Sequence, residues 1–508
     1  MFVRTVASLA ILLLSGTSVS AAPAPAASSA IPQQHSKPAV IDSATGLRKL
    51  PYATNPNPAR YAYSGASLIH DVRVIDGLGS QVKGRMDVLI ENGRIARLAP
   101  AGTLIPGVGV RVIEGKGLTL LPGLMDLHVH FVGVDRFAAG VVSSPSMMTD
   151  VYRYKTYLYG YLYSGVTTVL DAGSVPTVGM GLKRLINDGY VLGPRYFWSG
   201  PIMEGGIEPS DPFSDHVEMI PTSADIGPAL DYLQFIGADF VKLYRRTPIW
   251  MMERISAEAH KRGMRVFTDA WERNNFSVLE KIGRVDGSAH LNFHFRLSDE
   301  DVREMADKKN FAITTFYAIN AFSGKLFENK PDYYESPLIK DTLPPEYVAA
   351  LKAGGTDPLS AVRAGVHKIA VDNVQDLMGF NDDVPSKKIL QDMSRIGGEN
   401  MRRLMDAGVL LAAGTDGGEG ESLLSELELI VSEGGVTPLQ AIQMATGNAA
   451  KVLKKEKEFG SIQPGLIADL VLVRGEPDKT ISDIRNIQYV YKDGKIIDRA
   501  SLTRQWAY

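Results

Sequence analysis

The sequence predicts an α/β protein: a (β/α)8 barrel whose two chain ends come together in one small β-domain. Three observations lead there. From about 122 to 459, short apolar runs alternate with helical stretches. Before and after that middle the period changes to short alternating runs broken by Gly and Asn. Polar side chains of the metal-binding type fall near the C-terminal ends of the apolar runs, where a barrel of this class carries its site.

The chain has 508 residues, 45% hydrophobic and 22% charged, with a formal net charge of -3 and a pI of about 6.3. This is ordinary globular composition with length for a large core and two domains. No basic stripe points to nucleic acid and no acidic block to a solvating tail. Cysteine is absent, which removes thiolate nucleophiles, Cys-ligated zinc and disulfides together.

The opening "MFVRTVASLAILLLSGTSVSAAPAPAASSA" has Arg4, a short apolar run at 6–14 and the small-residue pattern Val19-Ser20-Ala21. Residues 1–21 are expected to be a secretory signal, cut after Ala21 or Ala22, which sends the protein to a periplasmic or secreted location. The Ala/Pro/Ser-rich start of 22–64 reads as a flexible linker, and no later segment approaches membrane-spanning length.

In 65–121, "DVRVIDG", "MDVLIENGRIARLAP" and "VRVIEGKGLTLLPG" read as strands, with Glu91-Asn92-Gly93 as a hairpin signal. The texture returns in 459–508, in "GSIQPGLIADLVLVRG" and "NIQYVYKDGKIIDRA", where Asp493-Gly494 is another tight-turn pair. The barrel, 122–458, takes its strands from "LPGLMDLHVHF", "GVTTVLDAG", "RYFWSG", "ADFVKLY", "RVFTDAW", "VDGSAHLNF", "FAITTFY" and "VLLAAGTD". Between them lie helical stretches such as "WMMERISAEAHKRG" and "TPLQAIQMATGNAAKVL", the latter opened by Thr437 as N-cap and Pro438 at the first helical position. The stretch 324–385 exceeds a normal loop; inserted after the seventh strand, it would lie over the barrel mouth as a lid.

In "LPGLMDLHVHF", His128 and His130 are two apart on a strand and so share a face. A metal ion explains two converging imidazoles most simply; a buried strand with two satisfied histidines is the alternative. Lys242 interrupts the apolar fourth strand, where an unpaired charge is costly. Either an ion pair relieves it or carbamylation turns it into an anion able to bridge two cations. His290 ends the sixth strand and Asp416 the eighth. Tyr244 shares the inward face of strand four with Lys242, Tyr317 ends strand seven, and Arg245, Arg246 and His216 stand at the rim; each is a candidate for substrate contact, against plain solvation for the arginines. The motifs GxSxG, HExxH, Walker A and GxGxxG do not occur as catalytic or nucleotide signatures.

The runs "VLIENGRI", "LPGLMDLHVHF", "SGVTTVLDAG", "GADFVKL", "GVLLAAGTDGG", "TPLQAIQMATGNAAKVL" and "GSIQPGLIADLVLV", in that order over about 67–500, resemble the amidohydrolase superfamily, in particular its imidazolonepropionase-like and prolidase-like branch. That resemblance implies a β-sandwich made from both termini beside the barrel, and one or two divalent metals, zinc first and manganese next, that activate a hydroxide. It implies that His128, His130 and Asp416 hold the more buried ion. Lys242, as a carbamate, would bridge to a second ion that His290 also binds, and Asp416 would double as proton shuttle.

One position departs from the branch. Its fifth strand carries V-x-x-H-x-H; here "VFTDAWE" puts Asp269 and Trp271 in the histidine places. His294, four beyond His290, is a substitute ligand only if it reaches back from the loop. Asp269 is a direct oxygen ligand, at about 2.0–2.2 Å for zinc, or an acceptor for His290 or a water beside a single metal, or the mark of a site that kept only its pocket. As a ligand it lowers the net charge of the centre by one, which acidifies water less and favours harder ions such as manganese. The expected function is metal-dependent hydrolysis of a C–N bond in a small molecule or short peptide, dipeptidase-like in the first instance. The rival is a catalytically impaired barrel that binds a ligand. The sequence leaves a homo-oligomer open.

Overall fold

Strands from residues 61–122 pair with strands from 470–497, as a computed structural model of the protein shows. It describes residues 40–41, 48–49, 61–79, 81–131, 151–207, 217–244, 247–269, 283–322, 324–342, 348, 387–417 and 420–503. Two units are distinguished, Met1–Thr54 and Asn55–Tyr508. In the first, Val40–Ile41 pairs antiparallel with Arg48–Lys49. The expected signal, 1–21, lies outside the described residues.

In the second unit one nine-stranded sheet takes strands from both ends. Its order is Tyr61–Tyr63, Lys495–Ile497, Ile487–Lys492, Leu470–Arg474, Leu118–Pro122, Ser67–Val74, Lys83–Glu91, Arg94–Pro100, with Arg111–Glu114 pairing onto Ser67–Val74. Early and late strands meet at two antiparallel seams, Tyr61–Tyr63 on Lys495–Ile497 and Leu470↔Pro122 through Arg474↔Leu118. Strand alternation gives the sheet two apolar faces. Leu118, Leu120, Leu470 and Leu472 join a core of the sheet's own, while Leu121, Val471 and Val473 join the large core shared with the rest of the unit. Both expected hairpins close as anticipated, with positive φ at Asn92, Gly93, Asp493 and Gly494. The sheet begins at Tyr61, so the stretch expected as linker, 22–64, contains the Val40–Ile41 and Arg48–Lys49 pair and one sheet strand.

All the expected barrel segments contain strands: Leu124–Val129, Val166–Asp171, Arg195–Trp198, Phe240–Leu243, Arg265–Thr268, Gly287–Ser288, Phe311–Ile313 and Leu410–Ala412. Where neighbours pair, they pair in parallel. The third resumes as Ile202–Gly205 after a break at Gly200, whose φ is +77. Its first half pairs with Val166–Asp171 and its second half with Phe240–Leu243, so one kinked segment belongs to a three-stranded and a seven-stranded sheet. First and last strands also touch: Leu127 N donates to Ala413 O at 3.1 Å and Asp416 N to His128 O at 2.7 Å.

The described start of the long insertion is helical, Lys325–Asn329, Tyr333–Glu335 and Pro337–Lys340. It lies against the helix Gly420–Ser432, through Lys330 to Glu428 and to Ser425 Oγ at 3.2 Å. Residues 343–347 and 349–385 of the expected lid lie outside the described residues. Among the described residues no helix is long and apolar enough to cross a membrane.

Candidate metal centre

Every residue of Leu124–Val129 is buried, and the strand delivers Asp126, His128 and, just beyond it, His130 at two-residue spacing. His128 is 0% exposed. Its Nδ1 lies 2.8 Å from the Ala289 carbonyl, and His130 Nδ1 lies 2.8 Å from the Gly173 carbonyl. A carbonyl only accepts, so both Nδ1 atoms carry the hydrogen and donate. In neutral rings both Nε2 atoms are then bare lone pairs, and they face each other at 3.2 Å. Burial holds the His128 imidazole well below its ordinary range, and the nearby Lys242, His290 and His130 push it the same way. Neutral His128 and His130 cannot hydrogen-bond to each other through these atoms; a cation between them removes the repulsion.

The other expected residues converge on this point. Asp416, in the left-handed region at φ 54 and with a quarter of its side chain exposed, places Oδ1 3.5 Å from His128 Nε2 and 3.3 Å from His130 Nε2. Lys242, 1% exposed, brings Nζ to 3.2 Å from His128 Nε2 and 3.8 Å from Asp269 Oδ2. His290 packs its ring 4.5 Å from that of His128, centroid to centroid, and turns Nε2 to 3.4 Å from Asp269 Oδ1. His128, His290 and Asp416 offer ligand atoms that all lie within 4.8 Å of one another. The donor set thus fits a divalent ion: imidazole nitrogens fixed from behind and a carboxylate aimed at the same space. His290 stands in the same cluster as His128, and the substitute ligand His294 is not in that group among the described residues.

Of the substrate-contact candidates, Tyr244 and Tyr317 are buried. The Tyr317 hydroxyl lies 3.1 Å from that of Tyr333 in the insertion. His216, Arg245, Arg246 and Trp271 lie outside the described residues.

Two buried acids were not singled out by sequence reasoning. Asp126 accepts from His128 N at 3.2 Å, Thr415 N at 3.1 Å and Thr415 Oγ1 at 2.8 Å. Burial pushes its carboxyl up to about 7 against those hydrogen bonds, and the charge of Asp416 adds to the rise. Its signal was in view, since it has the same strand parity as His128 and His130. Glu426, on Gly420–Ser432, is pushed up to about 8 by burial, and no sequence signal marks it.

Residues 345–497 match the amidohydrolase family model. The ochratoxinase of Aspergillus niger is 23% identical over 407 residues, 74% of this chain and 75% of that one. An imidazolonepropionase of Geobacillus sp. (strain WCH70) is 42% identical over 77 residues, 14% of this chain and 18% of that one. The crystal structure of a Xaa-Pro dipeptidase with methionine bound in its active site superposes with a TM-score of 0.62 at 23% identity, covering 85% of this chain and 99% of that one. Residues 345–497 thus resemble the amidohydrolase family, and the chain shares the fold of that dipeptidase structure.

Proposed function

We propose that this protein is a metal-dependent hydrolase of C–N bonds in small substrates, dipeptidase-like in the first instance, built on a closed (β/α)8 barrel with a β-sandwich drawn from both chain ends. The observation that carries the reading is the pair of inward Nε2 atoms of His128 and His130, 3.2 Å apart and each within 3.5 Å of Asp416 Oδ1. The names of the similar proteins, a Xaa-Pro dipeptidase and an ochratoxinase, support a small substrate.

His128, His130 and Asp416 would hold one divalent ion, zinc before manganese, and His290, Asp269 and a carbamylated Lys242 a second. When bound, such an ion supplies Lewis acidity towards water and towards a carbonyl. The chain's own groups do the rest. Asp416, the partly exposed acid of the cluster, takes the proton of the attacking water and returns it to the leaving nitrogen. The carbonyls of Ala289 and Gly173 hold the two imidazoles in the tautomer that presents Nε2. Carbamylation of Lys242 would turn its 3.8 Å ion pair with Asp269 into a repulsion between two anions. A cation between them offsets that repulsion, so carbamate and second ion stand or fall together.

The test is metal analysis of the purified protein together with hydrolysis of a panel of Xaa-Pro and other dipeptides and N-acyl amino acids, before and after chelation. Loss of cleavage on chelation and its return with zinc or manganese is expected; an undiminished rate without metal overturns the reading. We further propose that residues 1–21 are removed and that the mature protein, starting at Ala22, works in the periplasm or outside the cell. N-terminal sequencing that finds an intact Met1 on cytoplasmic protein overturns that.

A further inference from the structure

His128 and His130 are each held from behind by a backbone carbonyl; His290 meets a side-chain hydroxyl. Its Nδ1 lies 2.8 Å from the hydroxyl of Thr315. A hydroxyl on a rotatable side chain is a weaker guide than a carbonyl in the sheet, so the aim of His290 depends on what holds Thr315. Thr315 sits at φ 56, a left-handed conformation costly for a β-branched residue. Its own N–H is bound to Gly414 O at 3.0 Å, which ties it to the end of the last strand.

The three residues around it are gathered by one buried carboxyl group. Glu426 is 0% exposed. Its Oε1 accepts the Thr314 hydroxyl at 2.5 Å and the Phe316 N–H at 3.0 Å, and its Oε2 accepts the Tyr317 N–H at 2.5 Å. Held on both sides, the turn has one residue left to adjust, and that residue's hydroxyl meets His290. Strain of this kind persists only where the surroundings over-determine it.

We infer that Glu426 is a positioning residue for the candidate metal centre: it locks the turn 314–317 so that the Thr315 hydroxyl aims His290. The inference rests on the reading that the cluster holds a divalent ion. The hydrogen bonds of Glu426 go to Thr314, Phe316 and Tyr317, so it acts on His290 through Thr315. A merely structural Glu426 would satisfy the buried N–H groups and leave His290 indifferent to it.

Three variants separate the two roles. Thr315→Val keeps the branched shape and removes the hydroxyl; Thr315→Ser keeps the hydroxyl; Glu426→Gln keeps the size and replaces one oxygen, which can accept from an N–H of the turn even when the acid holds its proton, by an NH2 that cannot. Zn2+ alone is the probe, titrated by chelator competition, and crystal structures of the metal-free variants report the His290 ring. Thr315→Val and Glu426→Gln should each weaken Zn2+ binding about 10–100-fold, and the double variant should be no weaker than Thr315→Val alone. Thr315→Ser should bind like the wild type, and the His290 ring should turn in Thr315→Val. A Thr315→Val protein with wild-type affinity and an unmoved ring overturns the inference, as does a Glu426→Gln protein that melts lower yet binds Zn2+ unchanged. If Glu426→Gln does not fold, Thr315→Val and Thr315→Ser decide. If the wild type binds no Zn2+, it is the proposed function that fails, and the ring's orientation in metal-free Thr315→Val still decides this inference.

Discussion

Asp126 Oδ2 accepts the Thr415 hydroxyl at 2.8 Å, and its Oδ1 accepts the N–H groups of His128 and Thr415. One side chain thereby pins the first parallel strand to the turn that carries Asp416. An amide keeps two of the three bonds, its oxygen accepting both N–H groups, while its NH2 donates to the Thr415 oxygen and the Thr415 hydrogen turns to His128 O, 3.4 Å away. Asp126→Asn should therefore cost less than about 1 kcal/mol. Asp126→Ala strands buried donors and should cost about 2–4 kcal/mol. Urea unfolding of the metal-free proteins checks the ranking; equal losses would show that Asp126 is not the pin.

The contribution of Glu426 to the stability of the metal-free protein should fall as pH rises through the neutral range. Burial pushes the Glu426 carboxyl from 4.5 up to about 8, outweighing its three hydrogen bonds, and the charge of Asp126 adds to the rise. Between those two values the unfolded chain has released this proton and the folded chain keeps it. The contribution is thus full below about 4.5 and lost as pH climbs through about 8. The slope is at most roughly 1.4 kcal/mol per pH unit. Glu426→Gln has no proton to release and should flatten the profile. Asp126, raised to about 7, leaves a residual slope of the same sign, and His128, held well below its ordinary range, one of the opposite sign at lower pH. Identical slopes for wild type and Glu426→Gln would contradict the assignment.

What the sequence made legible was whatever depends on local spacing. Strand parity delivered His128 and His130 to one space, and turn chemistry marked Asn92-Gly93 and Asp493-Gly494, whose φ values are indeed positive. The break in the third strand was not legible, because Ser199-Gly200-Pro201 reads as a strand's end when it is a kink between two pairings. Glu426 was invisible for a different reason. It serves a turn 110 residues away in sequence, and that turn places a threonine where the usual signal would be Gly or Asn.

Lys242 decides between an ion pair and a carbamate. Unmodified, it donates to His128 Nε2 at 3.2 Å and pairs with Asp269 at 3.8 Å, which competes with metal for the same lone pair. Under the proposed function, Lys242→Ala should lose the second ion and most activity. Added short carboxylates should restore part of both by standing in for the carbamate. A variant with full metal content and full rate would make the lysine structural.

Asp269 carries the sharpest test, because its Oδ1 lies 3.4 Å from His290 Nε2 and its Oδ2 3.8 Å from Lys242 Nζ. That position suits a ligand to an ion shared with His290, and it equally suits an acceptor for a His290 Nε2–H beside a single ion. The two differ in charge. As a ligand, Asp269 makes the centre less positive, so water there is acidified less. Asp269→His raises the charge of the centre by one. It should tighten Zn2+ binding and move the acidic limb of the pH–rate profile to lower pH, provided the strand admits the longer ring. Asp269→Ala should shed one ion and leave that of His128, His130 and Asp416. If Asp269 only accepts from His290, the wild type holds one ion from the start and neither change alters the count. Metal analysis of the three proteins at one pH, with zinc and then manganese, separates these cases. One ion per chain in all three rejects Asp269 as a ligand, and none in the wild type favours a barrel that binds its ligand without cleaving it.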